Sequence, residues 1–445
     1  MKKPRHHIIH FICIMAVLAA IMLQGFTGMV KMKPLEGVVA KEKKTELTLD
    51  TYLDGSYQNY LTEHAKRNTG FREPLIRFYN QLCYSCFGKV NNINVVVGEE
   101  GDLFTKMYLD DVTGKRVEQY FTTIDSAKMQ ARENVKVTLQ LMDTLKQHGT
   151  DFFFVFAPSK AAVYPEHIPE PYQSQRSDFS LTDYYIELFK ENGIPHIDFY
   201  NYFKSIKDSY PYPLYSKYGT HWSFATIPMV SDSILRMMES LSGKSLPSIE
   251  VTDWNLTTDY FGQDRELEGQ FNLMFPLSKP ALPNPRFSLT DTVGKDKPNL
   301  VVVGDSYFVA FENTCFLDAF NSWNYLKYND YIISSNPKSD WKRISLLPEA
   351  HELLENADIV MVVSTAPMLY TYMFDFPETA FDLFAQGEPT EEDRIERTIQ
   401  TIRNNPEWYN AVVEQAKKLG YTTEENLRRN AIYVIKSKDK EKKKP

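Results

Sequence analysis

The stretch VVVGDSYFVAFENT, Val301–Thr314, begins with three β-branched residues, turns at Gly-Asp-Ser and continues into an aromatic-rich segment. β-Branched residues favour strands, and Gly and Asp favour turns. The stretch therefore predicts a strand that ends at Asp305 and Ser306 and leads into a helix. A serine in such a turn is a candidate nucleophile, because the first N–H groups of the helix can stabilise an oxyanion. The same pattern also suits a strand that simply enters a turn.

Further apolar runs recur along the chain between segments with helical spacing. They are VVVGEEGDLF, which reads as strand, turn and strand, and then DFFFVFA, IPHID and DIVMVVS. Apolar strands separated by helices are typical of a parallel sheet that is covered on both faces. We therefore predict a three-layer α/β fold with a mostly parallel sheet.

Polar residues follow several of these strands. Ligands of such sheets collect outside the carboxyl ends of the strands, so these polar residues are expected at one rim: Ser159, Lys160, Asp198, Asp305, Ser306, Ser364 and Thr365. Asp358 precedes its strand and is expected at the opposite edge. Lys160 and Tyr164 are expected in a rim loop, in contact with either substrate or solvent.

The N-terminal region predicts a membrane anchor. After a short tail, residues 1–7, comes the run IIHFICIMAVLAAIMLQGFTGMV, residues 8–30, which has no charged residue and is long enough to cross a bilayer. The residues near its end fit a signal-peptide cleavage site poorly, so an uncleaved signal anchor is favoured. Lysines on both sides of the run leave its orientation open.

The rest of the chain divides by composition. Residues 31–47 are a Lys-rich linker, residues 48–389 form the main domain, and residues 390–445 are a helical segment with a basic tail. Residues 245–298, rich in Pro, Asp and Thr, are predicted to be an irregular insertion that contains short antiparallel strands.

Composition and cysteines exclude some functions. A net charge of −8 argues against a general nucleic-acid-binding protein. Cys83 and Cys86 form a CxxC pair in a segment with helical periodicity, without the further ligands that a structural zinc site needs. Two small residues on a packed helix and a redox pair both remain compatible with this spacing.

A serine nucleophile needs a base, and His221 is the best placed histidine. It lies in YPLYSKYGTHWSFA, between a Pro-containing turn and the start of a helix. Trp222 is expected to line a pocket beside it. From spacing alone, a Ser–His pair and a hydrogen-bonded loop histidine both remain possible.

Four motifs in order resemble one known family. They are VVVGEEGDLF, VFAPSKAAVYPEHIP, GTHW and the GDS after an apolar strand. Together they resemble the SGNH hydrolase-like domain of the alginate O-acetyltransferase family of AlgX and AlgJ type, over roughly residues 50–370. By position, Ser306 matches the family nucleophile and His221 matches its base.

The resemblance implies an envelope protein that faces the extracytoplasmic space. It would work beside a membrane-bound O-acyltransferase and place acetyl groups on a polysaccharide, with no metal or soluble cofactor. A carbohydrate acetylesterase would use the same residues, and a catalytically inactive glycan-binding accessory protein is a further alternative.

One departure from the family pattern concerns Gly219. The family has Asp-x-His-Trp, whereas this chain has Gly-Thr-His-Trp at 219–222. Three explanations follow: another carboxylate orients His221, with Asp198 favoured; the site is a Ser–His dyad; or the site is inactive. Asp198 is also suited to cap the helix that follows it, and this role is slightly favoured because helix capping is common.

Other residues have candidate supporting roles. Asp305 and Thr220 are candidates to support the oxyanion or the turn. Trp222 and Tyr307, with Trp323 and Tyr325, are candidates to stack on sugar rings, although aromatic side chains are also common in cores.

Overall fold

The computed structural model describes residues 5–37, 44–90, 92–260, 262–335, 342–343, 350–384, 395, 398–399, 402–403 and 406–442. The chain divides into two compact units. One comprises Met1–Val97 and Arg265–Lys279, and the other comprises Gly98–Asp264 and Pro280–Pro445. The main domain predicted at 48–389 is therefore divided, because residues 48–97 and part of the predicted insertion belong to the first unit.

The first unit is mostly helical. Its helices are α1 (Arg5–Thr27), α2 (Leu49–Leu53), α3 (Ser56–Arg67), α4 (Arg72–Phe87) and, in its second segment, Glu266–Phe271; its strand is β1 (Val95–Val97). In the described part of the chain, one helical span, His7–Thr27, is long and apolar enough to cross a membrane. The helix ends before the predicted limit at residue 30, because Gly28 takes a left-handed conformation with φ 56°.

The second segment of this unit is tied to α4. The side-chain amide of Asn80 donates a 2.9 Å hydrogen bond to the Phe271 carbonyl oxygen, and the ring of Tyr84 lies 6.1 Å from that of Phe271. Cys83 and Cys86 lie one turn apart on α4 and are not joined by a disulfide. Part of the predicted insertion, Arg265–Lys279, is thus a segment that packs on α4 rather than an irregular loop.

The second unit contains the sheet. Its strands are β2 (Leu103–Thr105), β3 (Asp151–Ala157), β4 (His196–Asp198), β5 (Ser248–Thr257), β6 (Leu282–Thr290), β7 (Asn299–Gly304), β8 (Ser322–Lys327), β9 (Tyr331–Ser334), β10 (Lys342–Arg343) and β11 (Ile359–Thr365). Among the described residues, seven strands form one sheet in the order β10-β9-β8-β7-β11-β3-β4. The five strands from β8 to β4 are parallel, and β9 and β10 are antiparallel to their neighbours.

Helices precede or follow most of these strands. They are Lys106–Val112, Lys115–Tyr120, Ile124–Gln147, Lys160–Val163, Glu170–Gln173, Leu181–Glu191, Phe199–Ile206, Ile227–Ser242, Ala350–Glu355, Phe376–Phe384, Pro406–Leu419 and Thr423–Lys442. The last two pack on each other around a separate small cluster that includes Val412 and Leu427.

The sheet is buried on both faces. Along β3, Phe152, Phe154 and Phe156 pack in one core with side chains of the helices Ile124–Gln147 and Leu181–Glu191. The alternate side chains, Phe153 and Val155, are also fully buried. Since successive strand residues point to opposite faces, both faces are covered, which confirms the predicted α/β class.

Two features of the strands differ from the sequence prediction. β5 and β6 form a long antiparallel pair with a bulge near Val251, where short strands were expected. β8 and β9 were not predicted, because their polar and aromatic residues lack the continuous apolar run of the central strands. Their backbone hydrogen bonds to neighbouring strands, rather than their composition, make them part of the sheet.

Candidate active site

The carboxyl ends of the central strands lie side by side. Gly304 at the end of β7 is paired with Val363 of β11, and Thr365 at the end of β11 is paired with Ala157 of β3. Beyond β7, a short 3-10 helix runs from Ser306 to Phe311. Ser306 is partly exposed between buried neighbours, so its hydroxyl group reaches the rim of the sheet.

His221 is held at the same rim by a fixed loop. Before it, the Ser216 hydroxyl donates to the Asp264 carbonyl oxygen at 2.6 Å. At Thr220, the backbone oxygen accepts a 2.8 Å bond from the Tyr307 hydroxyl, and the hydroxyl oxygen accepts from Thr105 at 2.9 Å. These buried and partly buried hydrogen bonds fix the backbone that carries the imidazole.

The two candidate catalytic residues meet. The Nε2 atom of His221 lies 2.8 Å from Oγ of Ser306, within the range in which a base can take a hydroxyl proton. The imidazole is largely buried, and its ring packs 4.7 Å from that of Tyr307. Residues 85 positions apart are thus brought into hydrogen-bonding contact by the fold.

Asp305 supports the turn that presents Ser306. One carboxylate oxygen accepts from the Tyr307 N–H at 3.0 Å, and the other accepts from the N–H and hydroxyl of Thr365 at 2.8 and 2.7 Å. Burial raises the pKa of Asp305, and the bonds from Thr365 and Tyr307 and the nearby His221 oppose that rise. Asp305 therefore joins the ends of β7 and β11 and shapes the turn.

Asp198 acts as a helix cap. One of its carboxylate oxygens accepts from the Asn201 N–H at 2.8 Å and the other from the Asn201 side chain at 3.1 Å. The Lys190 ammonium group lies 3.7 Å away. Of the two roles that the sequence left open for Asp198, these contacts match the cap of the helix Phe199–Ile206.

Lys160 is not the rim residue that the sequence suggested. Its ammonium group is buried and donates to the carbonyl oxygens of Leu103, Ser216 and Lys217 at 3.0, 2.8 and 2.9 Å. It also pairs with Asp102 at 2.9 Å. A lysine begins a short helix here and points inward, so it anchors the backbone upstream of His221 rather than meeting a substrate.

Tyr164 has a similar internal role. Its hydroxyl oxygen accepts from the Leu214 N–H at 3.1 Å, and its ring stacks on His167. Burial raises its pKa. This side chain therefore positions the start of the loop that carries His221.

The aromatic residues proposed for sugar stacking are mostly core residues. Trp222, Tyr307 and Tyr325 are fully buried, and Trp222 packs edge-on against Tyr307. The Tyr325 hydroxyl donates to the Asp305 carbonyl oxygen at 2.6 Å. Trp323, on β8, is partly buried. Trp222 and Tyr307 support His221 from within instead of lining a sugar site.

Asp358 lies at the opposite end of the sheet, as predicted. Its carboxylate accepts from the Asn299 N–H, at the start of β7, at 2.7 Å. It also pairs with Lys244 at 3.1 Å. This carboxylate is therefore excluded as a partner of His221.

The environment of Gly219 leaves no room for a side chain. A β-carbon on residue 219 would lie 2.3 Å from the Gln263 carbonyl oxygen and 2.7 Å from Oγ of Ser216. It would also lie 3.3 Å from Cα of Asp264. The segment Gln263–Asp264 occupies the space that a side chain at 219 would need. Sequence reasoning missed Asp264, which is buried and lies 43 residues beyond His221 within the predicted insertion.

A serine hydrogen-bonded to a histidine at the carboxyl edge of a mostly parallel sheet, covered on both faces, is the arrangement of an α/β protein with a hydrolase-like site. Residues 95–319 match the family described as SGNH hydrolase-like domain, acetyltransferase AlgX. This match covers about half of the chain, and the chain belongs to that family. No curated protein sequence matches it significantly.

Three solved structures are similar to this chain at low sequence identity. The O-acetyltransferase domain of Pseudomonas putida AlgJ is 16% identical, with 66% of this chain and 87% of that chain covered and a TM-score of 0.36. Pseudomonas aeruginosa AlgX is 16% identical, with 68% and 70% covered and a TM-score of 0.41. Bacillus cereus PatB1 is 12% identical, with 56% and 93% covered and a TM-score of 0.33.

Proposed function

We propose that this chain is a membrane-anchored O-acyltransferase that moves an acetyl group through an ester of Ser306. The observation that carries the proposal is the 2.8 Å contact between Oγ of Ser306 and Nε2 of His221. A serine hydroxyl group is a weak nucleophile unless an adjacent base takes its proton. His221 is in position to be that base.

The reaction would run in two halves. In the first, His221 takes the Ser306 proton while Oγ attacks the carbonyl carbon of the acetyl donor. The tetrahedral oxyanion then collapses, the leaving group takes the proton from His221, and acetyl-Ser306 remains. In the second half, His221 takes a proton from an acceptor hydroxyl group, whose oxygen attacks the ester carbonyl carbon. The bond from that carbon to Oγ of Ser306 then breaks, and Oγ takes the proton back from His221.

The oxyanion would be stabilised by the start of the 3-10 helix Ser306–Phe311. The first N–H groups of a helix have no acceptor within the helix, so the Ser306 N–H can donate to the developing negative charge. Asp305 fixes the turn through Thr365 and Tyr307. This part of the site would therefore be preorganised for charge that appears in the transition state.

The acceptor, the donor and the location also belong to this proposal. We propose an envelope or secreted polysaccharide as the acceptor, and a membrane-bound O-acyltransferase as the partner that supplies the acetyl group. The helix Arg5–Thr27 would anchor the chain, with the sheet-containing unit in the extracytoplasmic space. Family membership and the apolar helix support this arrangement.

The proposed nucleophile can be tested by covalent labelling. Full-length protein in detergent micelles is treated with a serine-directed sulfonyl fluoride and digested for mass spectrometry. We expect labelling on Ser306, loss of labelling in Ser306→Ala, and strongly reduced labelling in His221→Gln. An unlabelled wild-type protein that still binds glycan would instead indicate an inactive accessory protein.

Transferase and esterase activities differ in their use of an acceptor. An acetyl-ester chromogen should be turned over by wild-type protein and not by Ser306→Ala. When an acceptor oligosaccharide is added, a transferase should form acetylated oligosaccharide. The amount of free acetate released should fall by the same amount. Acetate release that is unchanged by every acceptor tested would favour a carbohydrate acetylesterase.

A further inference from the structure

The segment Gln263–Asp264 runs alongside the loop that carries His221. The Gln263 side-chain amide lies 3.5 Å from the Trp222 carbonyl oxygen, and the Asp264 carbonyl oxygen accepts from the Ser216 hydroxyl. The Asp264 carboxylate lies 3.3 and 3.4 Å from the Phe224 N–H. These contacts join the segment to residues on both sides of His221 along the chain.

Asp264 also stands where the family carboxylate would originate. Its Cα lies 3.3 Å from the place of a β-carbon on residue 219, the position of the aspartate two residues before the family histidine. The family side chain would leave residue 219 in the direction now taken by Gln263 and Asp264. A carboxylate on residue 219 is thus excluded, and the backbone of Asp264 lies beside the place where its β-carbon would be.

Because Asp264 is buried, its carboxylate is expected to face a hydrogen-bond donor or a cation. Asp264 is only 4% exposed and His221 only 8%. A buried carboxylate is costly unless it is hydrogen-bonded or paired with charge, and the Phe224 N–H is a long donor. Asp264 and His221 each make a further interaction beyond those described above.

The other carboxylates near the rim are committed elsewhere. Asp305 accepts from Tyr307 and Thr365, and Asp198 accepts from Asn201. We infer that Asp264 is the positioning residue of the site: its carboxylate accepts the Nδ1 proton of His221, fixes the tautomer with Nε2 toward Ser306, and stabilises the imidazolium cation. This inference rests on the proposed function. In it, the Asp264 carboxylate takes the place of the carboxylate that Gly219 lacks.

The test compares Asp264→Asn, Asp264→Glu and a matched control in full-length protein, with an acetyl-ester chromogen as the probe. We expect Asp264→Asn to lower kcat by about 10⁴-fold, the loss seen when the orienting aspartate of a serine protease becomes asparagine, with little change in KM. The acid limb of its kcat/KM profile should move to lower pH, because the imidazolium loses its counter-charge. Asp264→Glu should restore part of kcat, and the cap variant Asp198→Asn should keep wild-type kinetics.

A proton spectrum gives a readout that a purely structural role would not produce. Wild-type protein should show a far-downfield imidazole N–H resonance that disappears in both His221→Gln and Asp264→Asn. Absence of this resonance from the wild-type spectrum overturns the inference even if Asp264→Asn fails to fold. Wild-type kcat and pH profile in Asp264→Asn also overturn it, provided that Ser306→Ala is inactive. Equal turnover by Ser306→Ala and wild type would instead defeat the proposed function.

Discussion

Gly219 and Gln263 approach so closely that a β-carbon on residue 219 would lie 2.3 Å from the Gln263 carbonyl oxygen. Contacts this short with backbone cannot be relieved by rotating a side chain. The segment Gln263–Asp264 therefore leaves no room for an aspartate side chain at residue 219.

We first predict that restoring the family residue fails. Gly219→Asp and Gly219→Ala should each lower the free energy of unfolding by about 1–3 kcal/mol, the usual cost of overpacking, and Gly219→Asp should not increase ester turnover. Urea unfolding and kinetics measure the two effects. A Gly219→Ala protein as stable as wild type would show that the segment can move away, and the steric explanation would be wrong.

A second prediction concerns the hydroxyl group of Tyr307, which donates to the Thr220 carbonyl oxygen at 2.8 Å. Tyr307→Phe should cost about 1 kcal/mol of stability and lower kcat by up to about 100-fold, because misplacement of a catalytic group is costly. Tyr185→Phe is the matched control, since its buried hydroxyl oxygen accepts from Asn134 at 2.7 Å. The control should lose similar stability but no activity; equal activity losses would contradict the role of Tyr307.

A third prediction concerns the buried ammonium group of Lys160. Lys160→Met leaves Asp102 and three carbonyl oxygens without this donor, so unfolding should become easier by about 3–5 kcal/mol. Lys136→Met removes an exposed pair with Glu133 at 2.7 Å and should cost about 0–1 kcal/mol. Chemical denaturation measures the free energy of unfolding of both variants. If Lys160→Met loses no more stability than Lys136→Met, the structural role of Lys160 is refuted.

A fourth prediction follows from Asp111, whose pKa is raised from 3.8 to about 6, chiefly by burial and against the hydrogen bond from Tyr370 and the charge of Arg116. Since the folded pKa is above the unfolded value, the folded state holds a proton that the unfolded state has lost between about pH 4 and 6. The free energy of unfolding should therefore fall as pH rises, by about 1.4 kcal/mol per pH unit in that window.

Asp111→Asn tests this dependence. Denaturation of wild type and variant across pH 4–6 should give a difference in unfolding free energy that changes with this slope and levels off above about pH 6. A difference that is constant across the window would show that Asp111 does not change its protonation there.

The sequence by itself determined the α/β class, the central strands and the two candidate catalytic residues, Ser306 and His221, which the fold brings into hydrogen-bonding contact. Continuous apolar runs such as Asp151–Ala157 and Ile359–Thr365 form strands because both faces of the sheet are buried. Gly-Asp-Ser after Val303 specified the turn at Ser306, because Gly and Asp favour turns through local backbone conformation and hydrogen bonding. The family motifs identified His221 as the base candidate.

Only the tertiary structure decided which polar side chains face the site. Lys160 and Tyr307 had the spacing of rim residues, yet both are buried and hold backbone in place, because rim position does not fix the direction of a side chain. Asp198 follows its strand as expected but is used by its own helix cap. Asp264 and the crowding at Gly219 arise from a contact between distant segments, and no local pattern in the sequence encodes such a contact.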